Sequence, residues 1–328
     1  MPAASPVQGK IHGAADTIRA MKILVLGAGG IGGYFGGRLA QAGSDITFLV
    51  RPRRREQLAR DGLVVQSPKG DFKLAVKTVL AESLEADYDL VLFTCKAYDL
   101  ASAMDAVAPA MKRAVLVPML NGIAHLEKLD ARFGPANVMG GTCQINVMLR
   151  PDGTVFHADP LQRMIYGERD GSKSARAEAF AGELRKSVID WSLSEDIELE
   201  MWEKIVFLCA LATCTCLFRG NVREIMAAPG GREAMQRAME ANVEIATREG
   251  HAPRMEPIQR ARARLLDAEG TWSASMLRDL EAGGSVEADH IVGWMLERAR
   301  RHKVDDTMLS LAYTHLKTYE NRRAAKRL

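Results

Sequence analysis

Apolar and polar positions along this chain change character once, near Trp191–Asp196. Before that point, short apolar runs of strand length recur at Lys22–Leu26, Asp45–Val50, Tyr88–Thr94, Ala114–Leu120, Asn137–Val147, Thr154–His157 and Met164–Tyr166. Helix-compatible segments separate several of them: one running to Ala42, and others near Leu100–Lys112 and Ile123–Phe133. Strands alternating with helices predict a doubly wound α/β sheet, here with a more hairpin-like end. After about Ser194 strand signals vanish, and long amphipathic patterns rich in Ala, Arg, Glu, Leu and Met predict an all-helical domain. The longest apolar run, Ile205–Phe218, reads as a buried helix and is short for a bilayer span. The expected organisation is a disordered extension at 1–20, a sheet domain at 21–193 and a helical domain at 194–328.

One segment adds chemistry to this pattern. Between the first two strands stand Gly27, Ala28, Gly29, Gly30, Ile31 and Gly32, which give G-x-G-x-x-G at a strand-to-helix turn. Gly27 suits the tight turn, Gly29 lets backbone approach a pyrophosphate, and Gly32 lets helix pack on strand. The helix that follows offers free N–H groups and a positive dipole end to phosphate. The first domain is therefore expected to be a Rossmann-type, dinucleotide-binding sheet.

The end of the second strand distinguishes the cofactors. An NAD site usually places Asp or Glu there, whereas this chain has Arg51, followed by Pro52 and Arg53–Arg55. Asp45 opens the strand, and six residues at about 3.3 Å each put it some 20 Å from the carboxyl end where ligands bind. A guanidinium at Arg51 matches a ribose 2′-phosphate, so NADPH is expected. Arg53–Arg55 read either as a solvated loop face or as a basic patch.

Composition narrows the classes further. The chain has 328 residues, 47% of them hydrophobic, and a net charge of only +3, which gives no case for nucleic-acid or membrane binding. Five cysteines include no C-x-x-C pair, and Cys209, Cys214 and Cys216 sit in an apolar segment where cysteine acts as a small hydrophobe. The first twenty residues lack the apolar core of a secretory signal, so a reducing cytoplasm is the expected compartment. No metal site is expected.

Several polar residues fall where a cofactor cleft would lie. Lys96 and Asn121 follow the strands YDLVLFTC and AVLVPML, at carboxyl ends. Taken alone, each is also consistent with an exposed loop lysine and a turn-forming Asn-Gly. Lys204 lies where an acidic first helical turn gives way to apolar sequence, so it either snorkels outward or points into a cleft. Ser275, Met276 and Glu287 are by themselves ordinary surface residues.

Together these pieces resemble the ketopantoate reductase family, the NADPH-dependent 2-dehydropantoate 2-reductases of pantothenate biosynthesis. The resemblance runs from about Met21 to the C-terminal helix. It rests on GAGGIGG, Arg51, Thr94–Ala97, Leu120–Gly122, Pro151–His157, Trp202–Lys204, Ser273–Met276 and Glu287 in this order and spacing. It implies that Lys204 is the catalytic lysine, bonding the substrate carbonyl and donating the proton as hydride reaches carbon. It implies cofactor contacts from the glycine loop, Arg51, Lys96, Asn121, Asn146 and Glu287. Asn121 would also face substrate, with Ser275 at the carboxylate end and Met276, Leu277 and Arg278 beside it.

The chain departs from the family in its substrate pocket. Ketopantoate-reducing members usually carry asparagines four and eight residues after the catalytic lysine, where this chain has Leu208 and Ala212. A third family asparagine lacks a partner in register, Asn221 lying one residue away. Losing such amides costs on the order of 1–3 kcal/mol each in hydrogen bonding to a hydroxylated acid. The expected activity is NADPH-dependent reduction of a 2-oxo acid, ketopantoate first. A more apolar 2-oxo acid or ketone, or a catalytically idle NADP-binding sensor, are the alternatives. A homodimer is the assembly considered.

Overall fold

The computed structural model describes residues 21–328. The extension read at 1–20 lies outside them. The chain begins with strand β1 (Lys22–Leu26), helix α1 (Gly30–Gln41), β2 (Asp45–Leu49) and α2 (Pro52–Asp61). Next come β3 (Leu63–Gln66), β4 (Phe72–Leu74), β5 (Lys77–Val79) and β6 (Leu90–Phe93). They are followed by α3 (Leu100–Val107), β7 (Val115–Pro118) and α4 (His125–Phe133). A long hairpin, β8 (Gly140–Leu149) and β9 (Val155–Gly167), then leads through α5 (Ala175–Leu184) to β10 (Asp190–Leu193). Beyond Leu193 every regular element is helical: α6 (Ile197–Phe218), α7 (Val222–Ala227), α8 (Gly231–Arg248), α9 (Met255–Leu265) and α10 (Ser275–Glu281). A π-helical turn at Asp289–Gly293 runs into α11 (Trp294–His302), and α12 (Thr307–Ala324) follows.

The first sheet is parallel throughout, in the order β5-β2-β1-β6-β7. Its central strands are continuous apolar runs because both faces are covered; β6 and β7 are buried at every position. Strand order reverses between β1 and β6, so a crevice opens at their carboxyl ends. The expected hairpin-like end is the antiparallel β8–β9 pair, and it belongs to a second sheet in which β10-β9-β3-β4 align. The sequence runs at Thr154–His157 and Met164–Tyr166 are the two ends of one strand, β9.

Helix α1 lies between the two sheets, and its glycines make that possible. A Cβ at Gly32 would strike the Gly27 carbonyl, and one at Gly36 would lie 2.8 Å from the Phe48 ring, both toward the first sheet. One residue on, about 100° round the helix, a Cβ at Gly33 would come within 2.8 Å of Val155, and one at Gly37 within 2.9 Å of Leu63, both toward the second sheet. Two i, i+4 rows of glycine thus let a single helix be pressed from both sides.

Helix α6 is the axis of the helical region. Asp196 caps it by accepting from the Leu199 N–H at 3.2 Å, and it packs on α8, α9, α10, α12 and β8. It extends the expected apolar run by two turns. Among the described residues it is the one helix long and apolar enough to cross a membrane by length and composition, yet most of it is buried inside the fold. Cys209, Cys214 and Cys216 are packed within this core, where burial pushes their thiols up to about 12. They are unreactive packing groups.

Candidate active site

The glycine loop leaves β1 with Gly27 at φ +88°, a conformation that favours glycine, and the Gly27 N–H donates to the Leu49 carbonyl at 2.8 Å. A Cβ on Gly29 would meet nothing within 4 Å, so open space lies above it. No side chain caps the N-terminus of α1, and its first turn holds no acid. Its free N–H groups are therefore available to an anion, and the loop fits a pyrophosphate. Gly30 is closed in from the side by the Val147 carbonyl, 3.2 Å from where its Cβ would be, which brings the end of β8 against the loop.

Asn146 sits beside that contact. The β8–β9 register breaks between Ile145 and Val147, leaving Asn146 in an irregularity of the ladder. Its side-chain oxygen accepts from Arg278 at 3.4 Å, linking β8 to α10.

Arg51 stands at the carboxyl end of β2 as the residue before α2, with its side chain 76% exposed. Its guanidinium pairs with Asp99 at 3.1 Å. The arginines after it are not a loop. Pro52 occupies the first position of α2, where its missing N–H costs nothing, and Arg53–Arg55 continue that helix. Arg54 turns inward and donates to the carbonyls of Ala28 at 3.1 Å and Gly153 at 3.0 Å. It ties the glycine loop to the β8–β9 turn.

Lys96 and Glu287 meet across the cleft. The buried Glu287 carboxylate accepts from the Ala97 N–H at 2.9 Å and from Lys96 Nζ at 3.5 Å, while Lys96 also donates to Asp279 at 2.9 Å. Burial alone would lower the Lys96 pKa, but Glu287 and Asp279 outweigh it and raise it. Asp279, on α10, gives no sign of this in the sequence.

Lys204 does not snorkel. Its ammonium donates to Asn121 Oδ1 at 3.1 Å and to the Cys143 carbonyl at 2.6 Å. Lysine has three N–H donors, so these two bonds aim the group and leave the third free. Burial lowers its pKa from the ordinary lysine value, against the partial restoring effect of Cys143 and Glu287. Asn121 is presented by Gly122 at φ +84°, whose missing Cβ would lie 3.0 Å from the His290 ring. Behind it, His290 Nε2 lies 3.4 Å from Nδ1 of the buried His125, with the two rings stacked. Burial holds both imidazoles below the ordinary histidine pKa. The π-helical turn carries His290, three residues after Glu287.

The remaining expected residues divide. Ser275 opens α10 half-exposed, and among the described residues nothing bonds its hydroxyl. The side chains of Met276 and Leu277 are core, at 2% and 3% exposure, so at this position only their backbone is left for a ligand. Arg278 is exposed. Asn221 is occupied: it caps α7 in a reciprocal box with Glu224, bonded at 3.0 and 2.7 Å.

The matching family models are ketopantoate reductase PanE/ApbA over residues 23–171 and its C-terminal counterpart over residues 196–320. The chain belongs to the ketopantoate reductase family. An uncharacterized oxidoreductase, YkpB of Bacillus subtilis strain 168, is 35% identical over 306 residues, covering 92% of this chain and 99% of that one. The 2-dehydropantoate 2-reductase of Halobacterium salinarum is 27% identical over 288 residues, covering 87% and 94%. Among solved structures, D-mandelate dehydrogenase with NADH and anilino(oxo)acetate superposes with a TM-score of 0.82 at 20% identity, over 93% of this chain and all of that one. At that identity the likeness is one of fold. As a ketopantoate reductase family member, the chain belongs to an oxidoreductase family.

Proposed function

We propose that this protein is an NADPH-dependent reductase of 2-oxo acids, with residues 21–193 holding the cofactor and 194–328 completing the substrate pocket. The observation that carries this reading is the half-buried Lys204 ammonium, held by Asn121 and the Cys143 carbonyl with one N–H to spare. When bound, the nicotinamide supplies hydride to the carbonyl carbon. Lys204 bonds the carbonyl oxygen, stabilises the charge developing there, and gives up its proton to complete the hydroxyl. Asn121 fixes the ammonium and presents its own amide to substrate. Ser275 and Arg278 stand at the carboxylate end. Lys96, Glu287 and Asn146 would hold the cofactor on its nicotinamide side, and Arg51 would bond the 2′-phosphate.

Ketopantoate is the lead substrate by family. Leu208 in place of an amide, with Ala212 buried behind it and Asn221 committed to its own helix, favours acceptance of less hydroxylated 2-oxo acids. A catalytically idle sensor would have no use for the Lys204 geometry. Replacing Lys204 by Ala is expected to lower kcat by roughly 10²–10⁴-fold while NADPH binding, followed by fluorescence, stays nearly intact. Normal turnover in that variant would remove the mechanism.

A further inference from the structure

We propose that Asp99 is a cofactor-specificity residue: it sets a carboxylate opposite Arg51 at the ribose 2′ position and narrows the preference for phosphorylated over unphosphorylated dinucleotides. This rests on Arg51 being the 2′ contact.

The pair joins two loops that border the glycine loop. Arg51 follows β2 and Asp99 closes the short turn after β6, and these two strands flank β1 in the sheet. The charged atoms lie 3.1 Å apart. Asp99 occupies the residue before α3, where an aspartate normally accepts from the first helical N–H groups; its side chain makes no such bond. Its carboxylate is turned to Arg51 instead.

An ion pair this open to solvent contributes little to stability, with side-chain exposures of 76% and 38%. Its consequence is for what binds there. A 2′-phosphate bonded to Arg51 brings a charge approaching two negative units beside the Asp99 carboxylate, and the two repel. A 2′-hydroxyl has no such penalty and can donate to the same carboxylate, as it does to the acid of an NAD site. Arg51 and Asp99 therefore pull in opposite directions. The unmodified protein is expected to use NADPH and NADH with efficiencies within about tenfold of each other.

Calorimetric titration with 2′,5′-ADP and 5′-AMP reads this without turnover. The proteins compared are the unmodified chain, Asp99→Asn and Arg51→Ala; both residues are surface-exposed, so the fold is expected to survive. Asp99→Asn should tighten 2′,5′-ADP about tenfold while 5′-AMP changes by less than about threefold, and the NADPH/NADH ratio of kcat/KM should rise in step. Arg51→Ala should weaken 2′,5′-ADP roughly ten- to a hundredfold and spare 5′-AMP. If Arg51→Ala behaves this way but Asp99→Asn leaves 2′,5′-ADP unchanged, the role of Asp99 is overturned and the Arg51 reading stands. If Arg51→Ala alters neither ligand, the 2′ site is elsewhere and the proposal falls with it.

Discussion

At the scale of single residues, Lys204 shows how far sequence carries and where it stops. Its position at the junction of an acidic turn and an apolar helix left two orientations open. Only the fold chooses between them, because its acceptors, Asn121 and the Cys143 carbonyl, come from β-domain segments 83 and 61 residues away. The choice has a measurable consequence. In the proposed mechanism the protonated amine is the acid in reduction, and burial lowers its pKa from the ordinary lysine value near 10.4. Turnover in the reductive direction should therefore hold at neutral pH and fall as pH rises through an apparent pKa below that value. A kcat profile carried to about pH 10 checks this. A flat profile, or the same alkaline limb in the residual activity of Lys204→Ala, would place the proton donor elsewhere.

At the scale of elements, the glycine motif was legible, but the reason for its extent was not. Gly27, Gly29 and Gly32 follow from the turn and the phosphate site. Gly36 follows from close packing on β1 and β2, and Gly33 and Gly37 follow from a second sheet, whose strands β3, β8 and β9 are scattered through the sequence with no local mark of their convergence on α1. Likewise, a solvated loop face and a basic patch were both open for Arg53–Arg55, whereas Pro52 starts a helix that turns Arg54 onto the Ala28 carbonyl. The packing reading of α1 predicts that Gly36→Val is destabilising. Its Cβ would stand 2.8–2.9 Å from side-chain atoms of Phe48 and Val25, in the middle of a core that cannot yield freely. Overpacking of this kind costs about 1–3 kcal/mol. Thermal unfolding should show a fall of several degrees in Tm; an unchanged Tm would mean that α1 is not clamped between the sheets.

At the scale of the molecule, the site exists only where two differently built halves meet. Lys96 reaches Asp279 and Glu287, Arg278 reaches Asn146, Lys204 reaches Asn121, and His290 stacks on His125. The sequence marked both members of three of these pairs, Lys96–Glu287, Arg278–Asn146 and Lys204–Asn121, but not their meeting, since the members lie 83 to 191 residues apart. The change from strand to helical texture was legible because periodicity is local; the seam across it is not. That seam also shapes the substrate. A pocket built on amides rejects analogues lacking a hydroxyl, because its polar groups are left unpaired. With Leu208 and Ala212 on α6 and Asn221 held in its capping box, that discrimination is expected to be weaker in the proposed pocket. The most direct test is NADPH consumption by the purified protein with a panel of 2-oxo acids, ketopantoate and 2-oxoisovalerate among them. Turnover of both is expected, with kcat/KM values within about tenfold of each other. A protein that binds NADPH yet reduces no 2-oxo acid in the panel would contradict it.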